Sequence, residues 1–337
     1  MRSSHITIKD IARILGVSPS TVSRALKDHP DISEDTKKLV KTFAEKVNYR
    51  PNALALSLRN RKTNMIGLII PEIVHHFFSS VISGIEDMAY AEGYHIMICQ
   101  SNENYQREVM NVQALTDLRV DGLIVSVSKT TKDFDHIEKV SKDGIPVVLF
   151  DRVVEQLDLD KVVIDDFDGA RIATEHLIKS GCKNILHLSA PIHLLIGKNR
   201  FEGYEAALKN NNLEVDNDLV LKCDTREDVI SLQSHILSLA PKIDGIFAVN
   251  DSTAIAVMQI LQKNGFKVPE DIQVVGFGDG PNATITSPTL TTVEQKGYEM
   301  GRESVKILLH RLANPNANID FQNKIITPIL KERESTK

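Results

Sequence analysis

The sequence predicts an α/β protein in which a small three-helix headpiece and a short hinge helix precede two doubly wound parallel-sheet lobes. The chain has 337 residues, enough for two or three units of ordinary domain size. Apolar strand-sized runs alternate with amphipathic segments from Met65 onward. Residues 1–63 carry 13 Lys and Arg against 6 Asp and Glu, a net charge of +7, whereas the whole chain carries −5 and the remainder therefore −12. A basic head on an acidic body is typical of a headpiece that meets polyphosphate.

Three short helices are predicted in the headpiece. Thr7 begins a capping box, and the helix that follows stops at Gly16. Ser18 is the expected N-cap of the second helix, with Pro19 at its first position, where a missing N–H costs nothing. The third helix begins at Ser33, and its expected buried residues are Leu39, Val40, Phe43 and Val47. Two helices joined by a tight glycine-containing turn and backed by a third are the helix-turn-helix arrangement, expected over residues 1–50.

The second helix is the one that enters the major groove in this arrangement, so its first side chains would reach base edges. Arg24 could bind guanine with two hydrogen bonds or contact a phosphate. The candidate DNA contacts of the headpiece are Thr7, Pro19, Ser20, Thr21, Ser23 and Arg24. The alternative is a generic three-helix protein-interaction unit, which the positive charge of the headpiece disfavours.

A hinge helix and a polar linker are predicted over residues 51–63. Pro51 disfavours a helical Arg50, and NALALSL then has room for two helical turns. One interpretation is an interdomain packing helix. The other is a minor-groove element in which Leu58 wedges into a base step and kinks the duplex, with Asn52 and Ala55 also at the DNA. Sequence spacing alone does not choose between the two.

The remaining residues, 64–337, are predicted to form two lobes, because about ten strands in two similar sets are more than one sheet usually holds. The carboxyl ends of parallel strands should face a common cleft, where a small molecule would bind. Carboxylates, amides and guanidinium groups at those ends suit a polyol ring. Candidate contacts are Phe77, Phe78, Asp151, Arg152, Arg200 and Asn250. Alternatively, the acidic residues cap helices or loops, Arg200 forms a surface ion pair, and the phenylalanines are core.

Signals for catalysis, cofactors or metals are weak. Three widely separated cysteines lack metal-ligand spacing and suit a reducing compartment. Ser126 to Lys129 match S-x-x-K, but the companion motifs of penicillin-recognising enzymes are absent. No secretory signal or membrane-spanning run is recognisable, so a cytoplasmic protein without catalytic residues, cofactor or metal is expected.

A family resemblance covers essentially the whole chain. The head TIKDIARILGVSPSTVSRAL and the segments MIGLIIP, VDGLIV, IPVVLFDR, GARIATEHLIKSG, FAVND and VPEDIQVVGFGD resemble the LacI/GalR family of bacterial repressors. The resemblance implies a homodimer that binds a near-palindromic operator and responds to an effector, a sugar or sugar derivative, in the cleft of a periplasmic-binding-protein-like domain. It also implies dimerisation through residues 64–337, one lobe of residues 64–163 with about 292–324, and another of residues 164–291 with the C-terminal tail.

One departure from the family concerns the effector. Members often carry an acidic residue directly after the VVGF segment, whereas this chain has Gly278 there and Asp279 next. Asp279 is therefore expected to take over the contact, or the pocket lacks it. A periplasmic-type solute receptor is disfavoured by the basic head and the missing export signal. A sugar kinase or dehydrogenase is disfavoured because the chain has neither a Walker loop nor a G-x-G-x-x-G fingerprint.

Overall fold

The structure is a computed structural model that describes residues 6–49, 62–315, 317 and 319–337. The chain divides into two compact units, residues 1–63 and 64–337. The sequence-predicted hinge residues Asn52, Ala55 and Leu58 lie outside the described residues. None of the helices among the described residues is long and apolar enough to cross a bilayer.

The described part of the first unit has three helices, α1 Ile8–Leu15, α2 Pro19–Ala25 and α3 Glu34–Lys46. As predicted, Gly16 ends α1 in the left-handed conformation, with φ +66°. The three helices bury Ile11, Ala12, Val22, Ala25, Val40 and Ala44. The prediction that α3 buries Leu39 is wrong, because the core-facing stripe runs through Val40 and Ala44 and leaves Leu39 52% exposed.

In chain order the second unit contains β1 Met65–Ile70, α4 His76–Ala91, β2 His95–Gln100, α5 Tyr105–Asp117, β3 Gly122–Val125, α6 Asp135–Lys142, β4 Val147–Phe150, β5 Asp160–Ile164, α7 Asp166–Lys179, β6 Ile185–Ser189, α8 Leu195–Asn210, β7 Val220–Lys222, α9 Arg226–Ser231, α10 Gln233–Leu239, β8 Gly245–Ala248, α11 Asp251–Lys263, β9 Gln273–Gly278, β10 Thr291–Glu294, α12 Gly297–Ala313, β11 Asn323–Ile326 and β12 Ile329–Lys331. Short 3₁₀ turns lie at Asn217–Leu219, Ala240–Lys242 and Pro281–Thr284.

Two six-stranded sheets organise the described residues of this unit, with strand orders β11-β5-β4-β3-β1-β2 and β12-β10-β9-β8-β6-β7. The strands pair in parallel except β10 with β12. The strands are almost wholly apolar, as expected of sheets covered by helices on both faces. The prediction of two doubly wound lobes is confirmed.

The chain passes between the lobes after β5, after β10 and after β11. The second passage lies later than predicted. Residues 292–294 belong to the second lobe, because Thr291–Glu294 pair in parallel with β9. The first lobe therefore regains the chain at Gln295 and Lys296, where α12 begins.

Close packing of α7 against α8 fixes two side chains of the cleft. At Gly203 an added Cβ would lie 2.2 Å from the Phe167 carbonyl oxygen, so only glycine allows this approach. Asp166 begins α7, and Arg200 lies one turn before Gly203 on α8. The helix contact therefore brings a carboxylate and a guanidinium together at one end of the second sheet.

Candidate functional site

The exposed start of α2 is the candidate DNA surface. The Ser18 hydroxyl accepts a hydrogen bond from the Thr21 N–H at 3.0 Å, which caps the helix. Buried Val22 and Ala25 anchor the opposite face in the headpiece core. Solvent reaches Pro19, Ser20 and Arg24, and partly reaches Thr21 and Ser23.

Two of the predicted DNA contacts also have local structural roles. The Thr7 hydroxyl donates to Asp10 Oδ2 at 2.7 Å within the capping box of α1, and Thr7 itself is exposed. Arg24 lies 3.9 Å from the Asp31 carboxylate while remaining 56% exposed. Such a loose, exposed pair contributes little to stability, so the guanidinium stays available to a nucleic acid.

Asp151 lies at the carboxyl end of the first sheet, beside Arg200 and Asp166 of the second lobe. Asp151 follows β4, has φ +58° and is 6% exposed. Burial raises the pKa of its carboxyl to about 6, opposed by Arg152 and Arg200 and assisted by Asp166. Among the described residues no group donates a hydrogen bond to this carboxylate. It is a largely buried acceptor beside charged groups from both lobes.

Arg200 is buried and held on three sides. Its Nε and Nη2 atoms each lie 2.7 Å from Asp166 Oδ1, and Nη1 donates to the Val249 carbonyl oxygen at 2.5 Å. The guanidinium carbon lies 3.7 Å from the centre of the Phe277 ring. The alternative of a surface ion pair is therefore wrong, since the pair is 4% and 5% exposed. Two of the five N–H groups of an arginine remain unused by these bonds.

Asn250 and Arg152 are engaged by neighbouring residues. Asn250 caps α11, accepting from the Thr253 N–H at 2.9 Å, and its amide nitrogen donates to the Asp224 carbonyl oxygen at 2.8 Å. Arg152 Nη1 donates to both carboxylate oxygens of Glu103, at 2.7 and 2.8 Å. The Arg152 Nε group is buried and unpartnered among the described residues. The amide of Asn250 thus serves the protein itself, whereas Arg152 keeps one unused donor.

Phe77 and Phe78, the two predicted aromatic contacts, differ in burial. Phe78 is 4% exposed, and its ring centre lies 6.3 Å from that of Phe150 in the core of the first lobe. Its burial agrees with the alternative of a core phenylalanine, because helical periodicity at the start of α4 points this side chain into the sheet. Phe77 is half-buried and remains the candidate aromatic.

Asp279 is held by the C-terminal segment. Arg333 Nη2 donates to Asp279 Oδ1 at 2.5 Å, and Arg333 Nη1 donates to the Leu290 carbonyl oxygen at 2.8 Å. The neighbouring acidic residue is Asp251, which accepts from Thr292 Oγ1 at 2.5 Å and from the Gly280 N–H at 2.9 Å. Burial raises the pKa of Asp251, and these two hydrogen bonds oppose that rise.

Several residues of the cleft were not predicted. Ser126, at the end of β3, has a fully buried hydroxyl without a partner among the described residues. Asp166 and Glu103 neutralise Arg200 and Arg152, which the sequence predicts as ligand contacts. Their positions at strand ends could have identified them, but pairing across the fold leaves no periodic signal. No cluster of metal-binding side chains occurs in the described part of the chain.

A small helix-turn-helix unit is followed by a two-lobed unit of parallel sheets with polar groups at the strand ends. This combination is typical of ligand-responsive transcription regulators. A model of bacterial regulatory proteins of the lacI family matches residues 7–52. A model of periplasmic binding proteins and the sugar-binding domain of the LacI family matches residues 63–332.

Sequence relatives agree with both models. The chain is 34% identical to a PurR transcriptional repressor of Vibrio campbellii, over 91% of this chain and 92% of that protein. It is 33% identical to a ribose operon repressor of Halalkalibacterium halodurans, over 98% of this chain and 97% of that protein.

Solved structures show the same fold. A complex of the regulator CelR with cellobiose matches with a TM-score of 0.75 and 26% identity, covering 98% of this chain and 99% of that one. A lac repressor dimer bound to operator matches with a TM-score of 0.86 and 23% identity, covering 98% and 99%. The chain belongs to the LacI family. It is a DNA-binding transcriptional regulator and not an enzyme.

Proposed function

We propose that this protein is a cytoplasmic repressor that binds a near-palindromic operator as a homodimer and that a neutral sugar, bound in the cleft between its lobes, controls its operator affinity. Asp151 carries the proposal: it is a buried carboxylate beside Arg200 and Asp166 of the opposite lobe, and it accepts no hydrogen bond from the described residues. Vicinal hydroxyl groups of a sugar donate to a carboxylate, and such charge-assisted bonds are strong.

The other groups around Asp151 complete a polyol site. Arg200 retains two unused N–H groups, and Arg152 Nε and Ser126 Oγ are buried without partners among the described residues. The arginine N–H groups can donate to ring and hydroxyl oxygens, and the Ser126 hydroxyl can donate to a ligand oxygen or accept from a ligand hydroxyl. Phe77, half-buried at the start of α4, offers an apolar face. A few convergent polar groups beside an aromatic ring are the usual composition of a small-molecule site.

Charge at the strand ends favours a neutral ligand over a phosphorylated one. Four cations lie there, and each is already paired, as Lys129–Asp224, Arg152–Glu103, Arg200–Asp166 and Arg333–Asp279. Asp151 and Asp251 add two carboxylates that no cation neutralises directly. A phosphate would therefore meet net negative charge.

The relatives widen the range of ligands to be tested. CelR was solved with cellobiose, a LacI-family regulator of Enterococcus faecium with ribose, and other relatives are named PurR. Neutral pentoses, hexoses and disaccharides therefore form the primary panel. Their phosphate esters and purine bases form the comparison panel.

Binding to the purified full-length protein tests the proposal. A ligand specific for the folded state raises the melting temperature by mass action, and calorimetry then gives its Kd. We expect a neutral sugar to bind, and Asp151→Asn to weaken it at least tenfold while leaving operator binding without ligand unchanged. Lys132→Met, an exposed substitution near the cleft, is the control and should bind normally. Tighter binding of a sugar phosphate or a purine would overturn the neutral-sugar assignment.

A further inference from the structure

An ion pair joins the two lobes across the cleft. Lys129 lies in the loop after β3 in the first lobe, and Asp224 lies in the loop after β7 in the second. Lys129 Nζ is 2.5 Å from Asp224 Oδ2, and the two side chains are 27% and 12% exposed. The pair is partly shielded from water, so it is worth more than an exposed surface pair.

A second cross-lobe contact reaches the same loop. His193, which follows β6 in the second lobe, lies with Nε2 3.1 Å from the Lys129 carbonyl oxygen. Protonated at Nε2, the imidazole donates to that carbonyl whether it is neutral or charged. Both the side chain and the backbone of Lys129 are therefore tied to the second lobe.

The first-lobe half of this contact is rigidly held. The Lys129 N–H donates to Glu103 Oε2 at 2.7 Å, and Glu103 is itself paired with Arg152. The N–H and hydroxyl of the preceding Ser128 donate to buried Glu108, at 2.6 and 2.8 Å. Because these bonds already hold the loop in place, little conformational entropy is lost when the Lys129 ammonium group pairs with Asp224.

The second-lobe half is held by Asn250 and Asp228. Asn250 donates to the Asp224 carbonyl oxygen at 2.8 Å, and Asp228 accepts from the Asp224 N–H at 3.2 Å. Asn250 acts here as a positioning residue for Asp224.

We infer that Lys129 and Asp224 form a latch that holds the lobes closed in the absence of ligand and thereby sets the basal operator affinity. Three passages of the chain link the lobes, so charges that face each other across the cleft bias the equilibrium between open and closed forms. The effect on operator affinity rests on the proposed function, whereas the closure itself does not. Removing either charge should lower the ratio of closed to open molecules about tenfold, which corresponds to about 1.4 kcal/mol.

Lobe separation without ligand tests the latch. Spin labels go on cysteines introduced at Gln106 and Glu227, exposed residues in the first turns of α5 and α9 on opposite lobes. Cys99 is replaced by serine. Burial raises the pKa of the other two native thiols, Cys182 and Cys223, to about 12 and keeps them unreactive. Subunit exchange with excess unlabelled protein leaves at most one labelled subunit in nearly all dimers. Pulsed electron–electron double resonance then gives the distance distribution within that subunit.

We expect Lys129→Met and the nearly isosteric Asp224→Asn each to move population to longer distances. The charge exchange Lys129→Asp with Asp224→Lys should restore the short distance, and Lys132→Met should not change it. Circular dichroism confirms that each variant is folded. An unchanged distribution in both single variants, or an equal shift in the Lys132 control, would overturn the latch. Failure of every sugar to bind would refute the proposed function but leave these distances to decide the latch.

Discussion

Replacing Arg200 by alanine should destabilise the protein strongly as well as impair its ligand response. Asp166, which is only 4% exposed, would lose the cation that pairs with it, and the Val249 carbonyl oxygen would lose its donor. The guanidinium that covers the Phe277 ring would also be gone. Breaking a buried ion pair by removing one partner costs about 3–5 kcal/mol, most of which is the penalty for the stranded charge.

A compensating variant separates that penalty from the value of the pair. If the stranded charge dominates, Asp166→Leu together with Arg200→Met should recover most of the lost stability, because apolar residues of similar size often replace a buried pair at little cost. The control is Arg171→Ala. Arg171 is 31% exposed and pairs with Asp168 and Glu175 on its own helix, so its removal should cost less than about 1 kcal/mol.

Urea unfolding of the full-length variants, followed by circular dichroism because the chain has no tryptophan, measures these differences. A loss of stability in Arg200→Ala no greater than that in Arg171→Ala would refute the stranded-charge explanation. That explanation also fails if the double variant is as unstable as the single one, since the stranded Asp166 charge would then not be the cause.

Three further predictions concern the headpiece, the hinge and pH. Ser18→Ala removes the N-cap of α2, so it should lower the free energy of unfolding by about 1 kcal/mol and weaken operator binding. Urea unfolding measures the first effect and fluorescence anisotropy the second. Unchanged values in both assays would contradict the role of the cap. Leu58→Ala should weaken operator binding and reduce DNA bending in a circular-permutation assay, with ligand affinity kept; unaltered bending would refute the wedge. Burial lowers the pKa of His187 to about 4, so the unfolded chain binds the extra proton first and stability should fall by up to about 3 kcal/mol as pH drops from about 6.5 to 4. His187→Phe should make this fall in stability less steep. Because the pKa of Asp151 is raised to about 6, protonation of Asp151 should add stability as the pH drops over the same range. The pH dependence with and without His187→Phe is therefore best compared in proteins that also carry Asp151→Asn.

Much of the fold was predictable because it rests on local patterns. A few neighbouring residues are enough to predict the Ser18 cap and the end of α1 at Gly16. The same is true of the alternation of apolar strands with amphipathic helices. Leu39 shows the limit of this reasoning. It lies beside the apolar stripe of α3, and only the packing of the three helices decides that Val40 faces inward instead.

The cleft was less predictable because its side chains are paired over long distances in the chain. Strand ends located Asp151, but Arg200 lies within α8, and the Asp166 carboxylate that neutralises Arg200 was not predicted. Likewise, Lys129 stood in a chance S-x-x-K match, and its partner Asp224 is 95 residues away. Such pairs follow from the strand order and from helix contacts, which periodicity in a single sequence does not encode.

Operator affinity measured at increasing concentrations of a neutral sugar, for the wild-type protein and Asp151→Asn, tests the central claim most directly. The account predicts that the wild-type affinity changes with sugar concentration until it saturates, that Asp151→Asn needs at least tenfold more sugar, and that both bind operator equally well without it. An identical sugar response in the two proteins, or a response only to phosphorylated sugars, would contradict the account.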